Sequence, residues 1–310
     1  MQTKTALLFA GQGAQYVGMG KDLFEQFPTA RDYFHRADEA LGFNLTAICH
    51  SGPEAELTRT EHCQPAIFLV SWIALQLLKE RAPNLTFQAT AGLSLGELTA
   101  LTAGGAIDFA DGLRISRQRG RFMQEACDLT RGGMAAVLGL DVETTRAVCD
   151  EAGVEIANLN CPGQIVISGE SDKIARAVEL AKSKGSKRAV ALPVAGAYHS
   201  RLMTSAQPKV RALMAGIHVR KPAVMVISNV TAEPHGEPDE IRARLADQVI
   251  SPVRWEDSVR YLLAQGFTQF IEVGPGAALS GFLKRIDKTA QSLNVADAPS
   301  LEMTAKALSI

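Results

Sequence analysis

The stretch Gly92-Leu93-Ser94-Leu95-Gly96 decides how this sequence is interpreted. The apolar run Phe87–Ala91 before it predicts a buried strand, and residues 97 to about 103 after it predict a helix. At such a strand-to-helix turn the serine backbone is strained, and a glycine two residues away on either side leaves the hydroxyl exposed. A chance match in a glycine-containing loop is the alternative. In this context we predict that Ser94 is a nucleophile and that the amide of Leu95 faces the negative charge developing beside it.

Strands and helices alternate along the chain on both sides of this turn, which predicts an α/β fold. Thr5–Ala10 is a predicted buried strand that leads into the turn Gly11-Gln12-Gly13-Ala14-Gln15, where backbone amides are expected near Ser94. A final strand and short helix are expected from Gln291 onward. The other predicted elements are helices at about 21–41, 66–80 (after Pro65), 109–127, 239–249 and 253–263, and strands at about 225–229 and 269–273.

Residues 131–194 follow a different pattern from the rest of the chain. Their predicted order is β-α-β-β-α-β, which is typical of a ferredoxin-like unit. We therefore predict an α/β core formed by residues 1–130 and 195–310, with a ferredoxin-like domain inserted at 131–194. The predicted elements of this insert are strands at about 134–140, 155–159, 164–168 and 188–194 and helices at about 142–152 and 172–184.

Composition argues against several classes of partner. The formal net charge of −1 gives no bulk attraction for nucleic acid. No apolar run is long enough for a membrane span, and the N-terminus lacks the apolar region of a signal peptide, so we expect a cytoplasmic protein. Tyr16 stands where G-x-G-x-x-G requires glycine, which argues against a nucleotide cofactor. Five cysteines without a C-x-x-C pair predict neither a disulfide framework nor a metal site: Cys49, Cys63, Cys127, Cys149 and Cys161.

A serine nucleophile needs a base, and His199 is the favoured one of the six histidines. It ends the nearly uncharged run Pro193–His199, where partial desolvation keeps an imidazole neutral. A packed structural histidine is the alternative. No acidic residue between Ser94 and His199 is marked out as a third member, so a dyad oriented by a backbone carbonyl is possible.

One charged side chain falls inside an apolar arc. On a helical wheel of Phe109–Cys127, Arg119 lies among apolar residues, whereas the other charged side chains lie opposite. A buried guanidinium is costly unless it is paired. Two partners remain open: a substrate carboxylate, bound through two parallel hydrogen bonds, or a distant Asp or Glu of the protein.

Several motifs, in order along nearly the whole chain, resemble those of the bacterial malonyl-CoA:acyl-carrier-protein transacylase family of type II fatty acid synthesis. The combination is far more specific than any one motif. Two positions depart from the pattern of many members: Leu93 replaces a histidine before the serine, and Tyr198 replaces a phenylalanine before the base. The matching stretches are Phe9–Gln15, Gly92–Glu97, Gln118–Glu125, Asn160–Gln164, Gly196–Ser200 and Glu272–Gly276.

The resemblance implies an α/β-hydrolase-like core with a ferredoxin-like small domain. It also implies that Ser94 is acylated, that His199 is its base and that Arg119 binds the malonyl carboxylate. Further roles are implied for five residues: the amides of Gln12 and Leu95 form an oxyanion hole, the Gln248 carbonyl orients His199, and Asn160 and Tyr198 contact substrate.

The implied reaction is ping-pong transfer of a malonyl group from malonyl-CoA to acyl carrier protein, with CoA thioester as substrate and no cofactor. Two other classes are weighed against it. A serine hydrolase would carry an acid between Ser94 and His199 in sequence and would not need Arg119. A non-catalytic assembly protein would not need Ser94, His199 and Arg119 together.

Overall fold

The computed structural model describes residues 3–309, which form one parallel and one antiparallel β-sheet. This confirms an α/β fold in which a parallel sheet is accompanied by a separate antiparallel sheet. The strands are β1 (Lys4–Phe9), β2 (Ala89–Gly92), β3 (Gly132–Leu138), β4 (Glu155–Cys161), β5 (Gln164–Glu170), β6 (Arg188–Ala191), β7 (Met225–Val226), β8 (Phe267–Val273) and β9 (Gln291–Val295).

Helices surround both sheets. None of those within residues 3–309 is long and apolar enough to cross a membrane. The helices are α1 (Lys21–Gln26), α2 (Pro28–Leu41), α3 (Leu45–Ser51), α4 (Glu54–Thr58), α5 (Thr60–Arg81), α6 (Gly96–Ala103), α7 (Phe109–Leu129), α8 (Val142–Ala152), α9 (Ser171–Ser183), α10 (Gln207–Ala215), α11 (Pro238–Gln248), α12 (Trp255–Ala264), α13 (Ala278–Ile286) and α14 (Ala298–Leu308).

The parallel sheet has the strand order β7-β2-β1-β8-β9. Its central strand β1 is buried from Thr5 to Phe9, as expected for a strand covered by helices on both faces. Phe9 pairs with Gly92 of β2 and with Val273 of β8, so three strands end at the same edge. The loops that follow them therefore meet at the carboxyl edge, where parallel sheets hold their ligands.

The predicted helix at 21–41 is wrong in one respect, because it is two helices separated at Phe27. The residue before a proline avoids helical geometry, and Phe27 is extended before Pro28. The predicted helix at 66–80 begins earlier, at Thr60. Pro65 removes one backbone hydrogen bond from α5. It is tolerated because burial of most of the helix offsets this loss.

The antiparallel sheet has the order β4-β5-β3-β6 and lies within the stretch predicted to be an insert. Along β3, Ala135 and Val137 pack with α8 and α9. The side chain of Met134, next to Ala135 in the chain, belongs instead to the main core. This period of two places one face of the sheet against its own helices and the other against the rest of the protein. Hydrogen bonds from Leu159 and Val253 join β4 to the segment before α12.

Several element ends differ from those predicted. The strand predicted at 225–229 forms only as Met225–Val226, and that predicted at 188–194 ends at Ala191. The final strand and helix are confirmed as β9 and α14. Four helices, α3, α4, α10 and α13, were not predicted from the sequence.

Candidate active site

Ser94 lies between the end of β2 and the start of α6, in the left-handed backbone region with φ 53°. Both flanking glycines are required by close backbone approach. A Cβ on Gly92 would lie 2.0 Å from the carbonyl carbon and oxygen of Gly96, and a Cβ on Gly96 would lie 2.2 Å from the Phe9 carbonyl oxygen. The motif thus permits a turn too tight for any larger residue.

Gly92→Ala is therefore expected to destabilise the protein by about 3 kcal/mol or more, because backbone must move to admit the methyl group. Gly281→Ala is the matched control, since a Cβ there meets nothing within 4 Å and the position lies in α13. The control should be neutral or stabilising by up to about 1 kcal/mol. Thermal unfolding of both variants measures the difference, and equal melting temperatures would contradict the close-approach argument.

His199 lies against Ser94, with its Nε2 atom 2.8 Å from Ser94 Oγ. Its backbone is also left-handed, with φ 58°. Its Nδ1 atom lies 2.9 Å from the carbonyl oxygen of Gln248 and 3.2 Å from that of Ser251. Because a carbonyl can only accept, Nδ1 carries the ring proton and Nε2 is left to accept the serine proton.

The environment keeps this imidazole neutral. Burial lowers the pKa of His199 to about 4, with a further lowering from Arg119 and an opposing effect of the two carbonyl groups. At neutral pH the ring is therefore in the form that a general base requires. Within residues 3–309, the group that orients His199 is not a carboxylate, as in a catalytic triad, but the backbone carbonyls of Gln248 and Ser251.

Arg119 projects from α7 and is only 1% exposed. Its guanidinium donates to Gln64 Oε1 at 2.7 Å, to Gln248 Oε1 at 2.7 Å and to Ser94 Oγ at 3.2 Å. Burial lowers the pKa of Arg119 to about 10, so the group remains charged at neutral pH. Its partners within residues 3–309 are two neutral amides and a hydroxyl, and the ion pair left open by the sequence does not form there.

A cavity of about 520 Å³ opens beside these groups, between the antiparallel sheet and the loops at the carboxyl edge of the parallel sheet. Gln64 lines this cavity. Arg119 is not among its lining residues, but it donates a hydrogen bond to the side-chain oxygen of Ser94, which is one of them. Neither backbone amide assigned to the oxyanion hole has an acceptor within the described part of the chain. The sequence-predicted residues that line the cavity are Gln12, Ser94, Leu95, Asn160, Tyr198 and His199.

Asn160 and Tyr198 occupy the cavity wall in different ways. Asn160 is 6% exposed, and its Oδ1 atom has no hydrogen-bond partner within residues 3–309. The Tyr198 hydroxyl lies 2.5 Å from Thr60 Oγ1. Burial raises the pKa of Tyr198, so its hydroxyl stays protonated. Leu93, the other departure noted in the sequence, also lines the cavity.

Besides Gln64, three polar residues near the site were missed in the sequence. Asn229 Oδ1 accepts the backbone N–H of Ser94 at 2.6 Å, and its Nδ2 donates to the Gly92 carbonyl at 2.7 Å. Glu97 pairs with His235 beneath the site. Glu97 carries a signal, as the only charged residue of α6. Asn229 and His235 have none, because only the tertiary fold brings their loops to the turn.

Comparisons with known proteins show the family of this chain. The family described as "Acyl transferase domain" matches residues 6–305. A malonyl CoA-acyl carrier protein transacylase of Bacillus subtilis is 44% identical, over 99% of this chain and 98% of its own. A solved structure of the malonyl CoA-acyl carrier protein transacylase from Coxiella burnetii has a TM-score of 0.96 at 34% identity, covering 100% of this chain and 99% of the other. Another, of a type II PKS acyl-carrier protein in complex with its malonyl-transacylase, has a TM-score of 0.95 at 36% identity, covering 98% and 100%.

The parallel α/β sheet, the serine at its carboxyl edge and the match over nearly the full length define an acyltransferase. Within that class, the malonyl CoA-acyl carrier protein transacylases of Bacillus subtilis and Coxiella burnetii each match this chain over nearly the full length of both proteins. The chain belongs to the malonyl CoA-acyl carrier protein transacylase family, as its motifs indicated.

Proposed function

We propose that this protein moves a malonyl group from CoA to the phosphopantetheine thiol of an acyl carrier protein through an acyl-serine intermediate. One observation carries the proposal: the Ser94 hydroxyl lies between the neutral imidazole of His199, at 2.8 Å, and the buried guanidinium of Arg119, at 3.2 Å. A base on one side and a cation without a carboxylate partner on the other suit an acyl group that carries its own carboxylate. The names of the relatives support the same substrates.

In the first half-reaction, Ser94 Oγ bonds to the thioester carbonyl carbon while His199 Nε2 takes its proton. The carbonyl oxygen becomes negative, and the amides of Gln12 and Leu95 would donate to it. The carbon–sulfur bond then breaks, and the CoA sulfur leaves with the proton held by His199. The Gln248 carbonyl keeps the other ring proton on Nδ1 throughout.

In the second half-reaction, the carrier thiol gives its proton to His199 and its sulfur bonds to the acyl carbon. The bond to Ser94 Oγ breaks, and the serine recovers the proton. In this proposal the CoA thioester is a substrate and no bound cofactor takes part. Asn160 and Tyr198 are proposed to contact the substrate from the cavity wall.

Incubation with labelled malonyl-CoA, with and without carrier protein, tests the proposal. We expect a stable malonyl adduct on the protein alone and its discharge onto the carrier when that is added. Rapid release of free malonate without transfer would favour a serine hydrolase instead. Absence of any adduct would favour a non-catalytic role.

Arg119→Ala is expected to weaken malonyl transfer far more than acetyl transfer. An acyl group on Ser94 Oγ displaces the hydrogen bond from Arg119 and places its carboxylate beside the guanidinium. Each charge-assisted bond lost costs about 1.5–3 kcal/mol, or roughly 10- to 150-fold in kcat/KM. Arg121→Ala on the exposed side of the same helix is the matched control and should preserve the malonyl preference. Equal losses for malonyl and acetyl groups would contradict the carboxylate role.

We also propose that the core is α/β-hydrolase-like and that residues 131–194 form a ferredoxin-like domain within it. The β-α-β-β-α-β order and the strand order β4-β5-β3-β6 support the second assignment. A cytoplasmic location remains part of the proposal. All five cysteines are free and buried, which suits a reducing compartment.

A further inference from the structure

Glu97 is a buried acid that the proposed reaction leaves without a role. It is 0% exposed and lies in the first turn of α6, three residues after the nucleophile. Its Oε1 lies 2.6 Å from His235 Nε2. Its Oε2 accepts from the Asn229 backbone N–H at 3.0 Å and from Gln248 Nε2 at 2.6 Å. None of these contacts involves a reacting atom, so any effect on the reaction passes through its partners.

Gln248 is the first of these partners. Its Nε2 donates to Glu97 and also to the Ser94 carbonyl, at 2.9 Å. With the amide nitrogen held in this way, Oε1 must face the opposite direction, where it accepts from Arg119 at 2.7 Å. A flipped amide would instead present N–H groups to the guanidinium. The Glu97 carboxylate and the Ser94 carbonyl together set which end of the Gln248 amide meets Arg119, and the bond to Glu97 is the shorter of the two.

Asn229 is the second partner. Its backbone N–H is held by Glu97, and its side chain bonds to both ends of the nucleophile turn, at the Ser94 N–H and the Gly92 carbonyl. The turn is strained at Ser94, so it persists only where its surroundings hold it. Asn229 is one such restraint, and Glu97 fixes the backbone from which it projects.

His235 is the third partner of Glu97. His235 is fully buried, and its Nδ1 has no partner within residues 3–309, so a second ring proton there would be an unsatisfied donor. Because a carboxylate oxygen accepts, the His235 Nε2 atom carries the ring proton and donates it to Glu97 Oε1. The buried positive charge of Arg119 lies one amide away, across Gln248.

We propose that Glu97 is a positioning residue whose carboxylate fixes the Gln248 amide and the Asn229 backbone, and through them places Arg119 and the Ser94 turn for acyl transfer. This inference rests on the function proposed above and assigns it one further residue. Glu97 acts by hydrogen bonding, so a side chain that preserves the same acceptors should preserve the effect.

Two substitutions separate hydrogen bonding from simple filling of space. In Glu97→Gln the amide oxygen can accept both bonds at the Oε2 position. Its nitrogen then faces His235 Nε2, so the ring proton moves to Nδ1, where it has no partner within residues 3–309; this lowers stability but leaves both bonds at the Oε2 position intact. Glu97→Met fills a similar volume but offers almost no acceptor.

The readout is the rate at which a small sulfonyl fluoride modifies Ser94, followed by mass spectrometry of the intact protein. The serine oxygen bonds to sulfur, fluoride leaves, and His199 takes the proton. Loss of the two bonds in Glu97→Met should slow modification about 10- to 100-fold, and Glu97→Gln should stay within about threefold of the native rate. Glu97→Met should also reduce the preference for malonyl over acetyl transfer, because Gln248 no longer holds Arg119.

Glu272→Met is the matched control. Glu272 is similarly buried, and its carboxylate accepts from the backbone N–H groups of Leu279, which lines the cavity, and of Ser280; neither residue hydrogen-bonds to Ser94, His199 or Arg119. Its loss should cost comparable stability while leaving sulfonyl fluoride modification of Ser94 within about threefold of native. A drop equal to that of Glu97→Met would show that loss of any buried carboxylate is sufficient, and would overturn the proposal.

A native modification rate in folded Glu97→Met would overturn it, as would a Glu97→Gln variant as slow as Glu97→Met. If Glu97→Met does not fold, Asn229→Ala is measured instead. This variant removes the side chain that links Glu97 to the Ser94 turn and keeps the Glu97 carboxylate, and a native modification rate in it would overturn the proposal. These outcomes differ from failure of the proposed function, since the sulfonyl fluoride carries no malonyl group. A native protein that the sulfonyl fluoride modifies, but that takes no malonyl group, contradicts only the transfer reaction.

Discussion

Replacing Ser94 with alanine is expected to abolish the malonyl adduct and to lower malonyl transfer at least about 10³-fold. The expectation follows from the geometry, because no other hydroxyl is placed 2.8 Å from His199 Nε2 in the described chain. The remaining oxyanion donors and binding groups cannot replace the covalent step. The methyl group of alanine fits in the space of the serine side chain, so the fold should survive.

The measurement is mass spectrometry of the intact protein after exposure to malonyl-CoA, with peptide mapping of any adduct. Ser183→Ala is the matched control, since Ser183 is an exposed serine at the end of α9. It should form the adduct at the native rate. An adduct of Ser94→Ala on another residue would refute the assignment of the nucleophile.

Replacing His199 with alanine is expected to lower the rate of adduct formation by about 10²- to 10⁴-fold, the usual contribution of a positioned base. The pH profile should change with it. The native rate requires neutral His199, whose pKa burial lowers to about 4. The rate should therefore stay nearly level as pH falls from 8 to about 5 and decline only as the ring becomes protonated below that; an ordinary imidazole would halve it near pH 6.5.

In His199→Ala the plateau should disappear, and the rate should rise with pH because hydroxide replaces the imidazole as base. His218→Ala removes an exposed histidine and should keep both the rate and the plateau. Circular dichroism at each pH checks that the fold is retained. A native protein whose rate falls by half near pH 6.5 would contradict the buried, neutral state of His199.

Local patterns predicted much of the architecture. The apolar run of β1 and the tight turn at Ser94 were both recognisable, since each depends on neighbours within a few residues. α8 has the predicted bounds, Val142–Ala152, because an Asp N-cap and a glycine mark its ends. α5 was mispredicted at its start because burial outweighs the breaking effect of Pro65.

The candidate site was predicted unevenly. Ser94 was recognised from the glycines on either side of it, and Arg119 from its position on an apolar helix face. The sequence could not decide whether Arg119 pairs with a substrate carboxylate or with an acidic residue of the protein. In the structure its guanidinium donates to the side-chain amides of Gln64 and Gln248 rather than to a carboxylate. Asn229 could not have been found, since 135 residues separate it from the serine whose N–H it accepts.

By itself, the sequence determined the tight turn at Ser94, the alternation of strands and helices, and the family to which the chain belongs. Each of these is encoded in contiguous residues, whose backbone preferences and apolar spacing act over a few positions. The tertiary structure alone decided which carbonyls hold His199, how Arg119 is held and what surrounds Glu97. Those contacts join segments far apart in the chain, and their energies depend on burial, which no short stretch of sequence specifies.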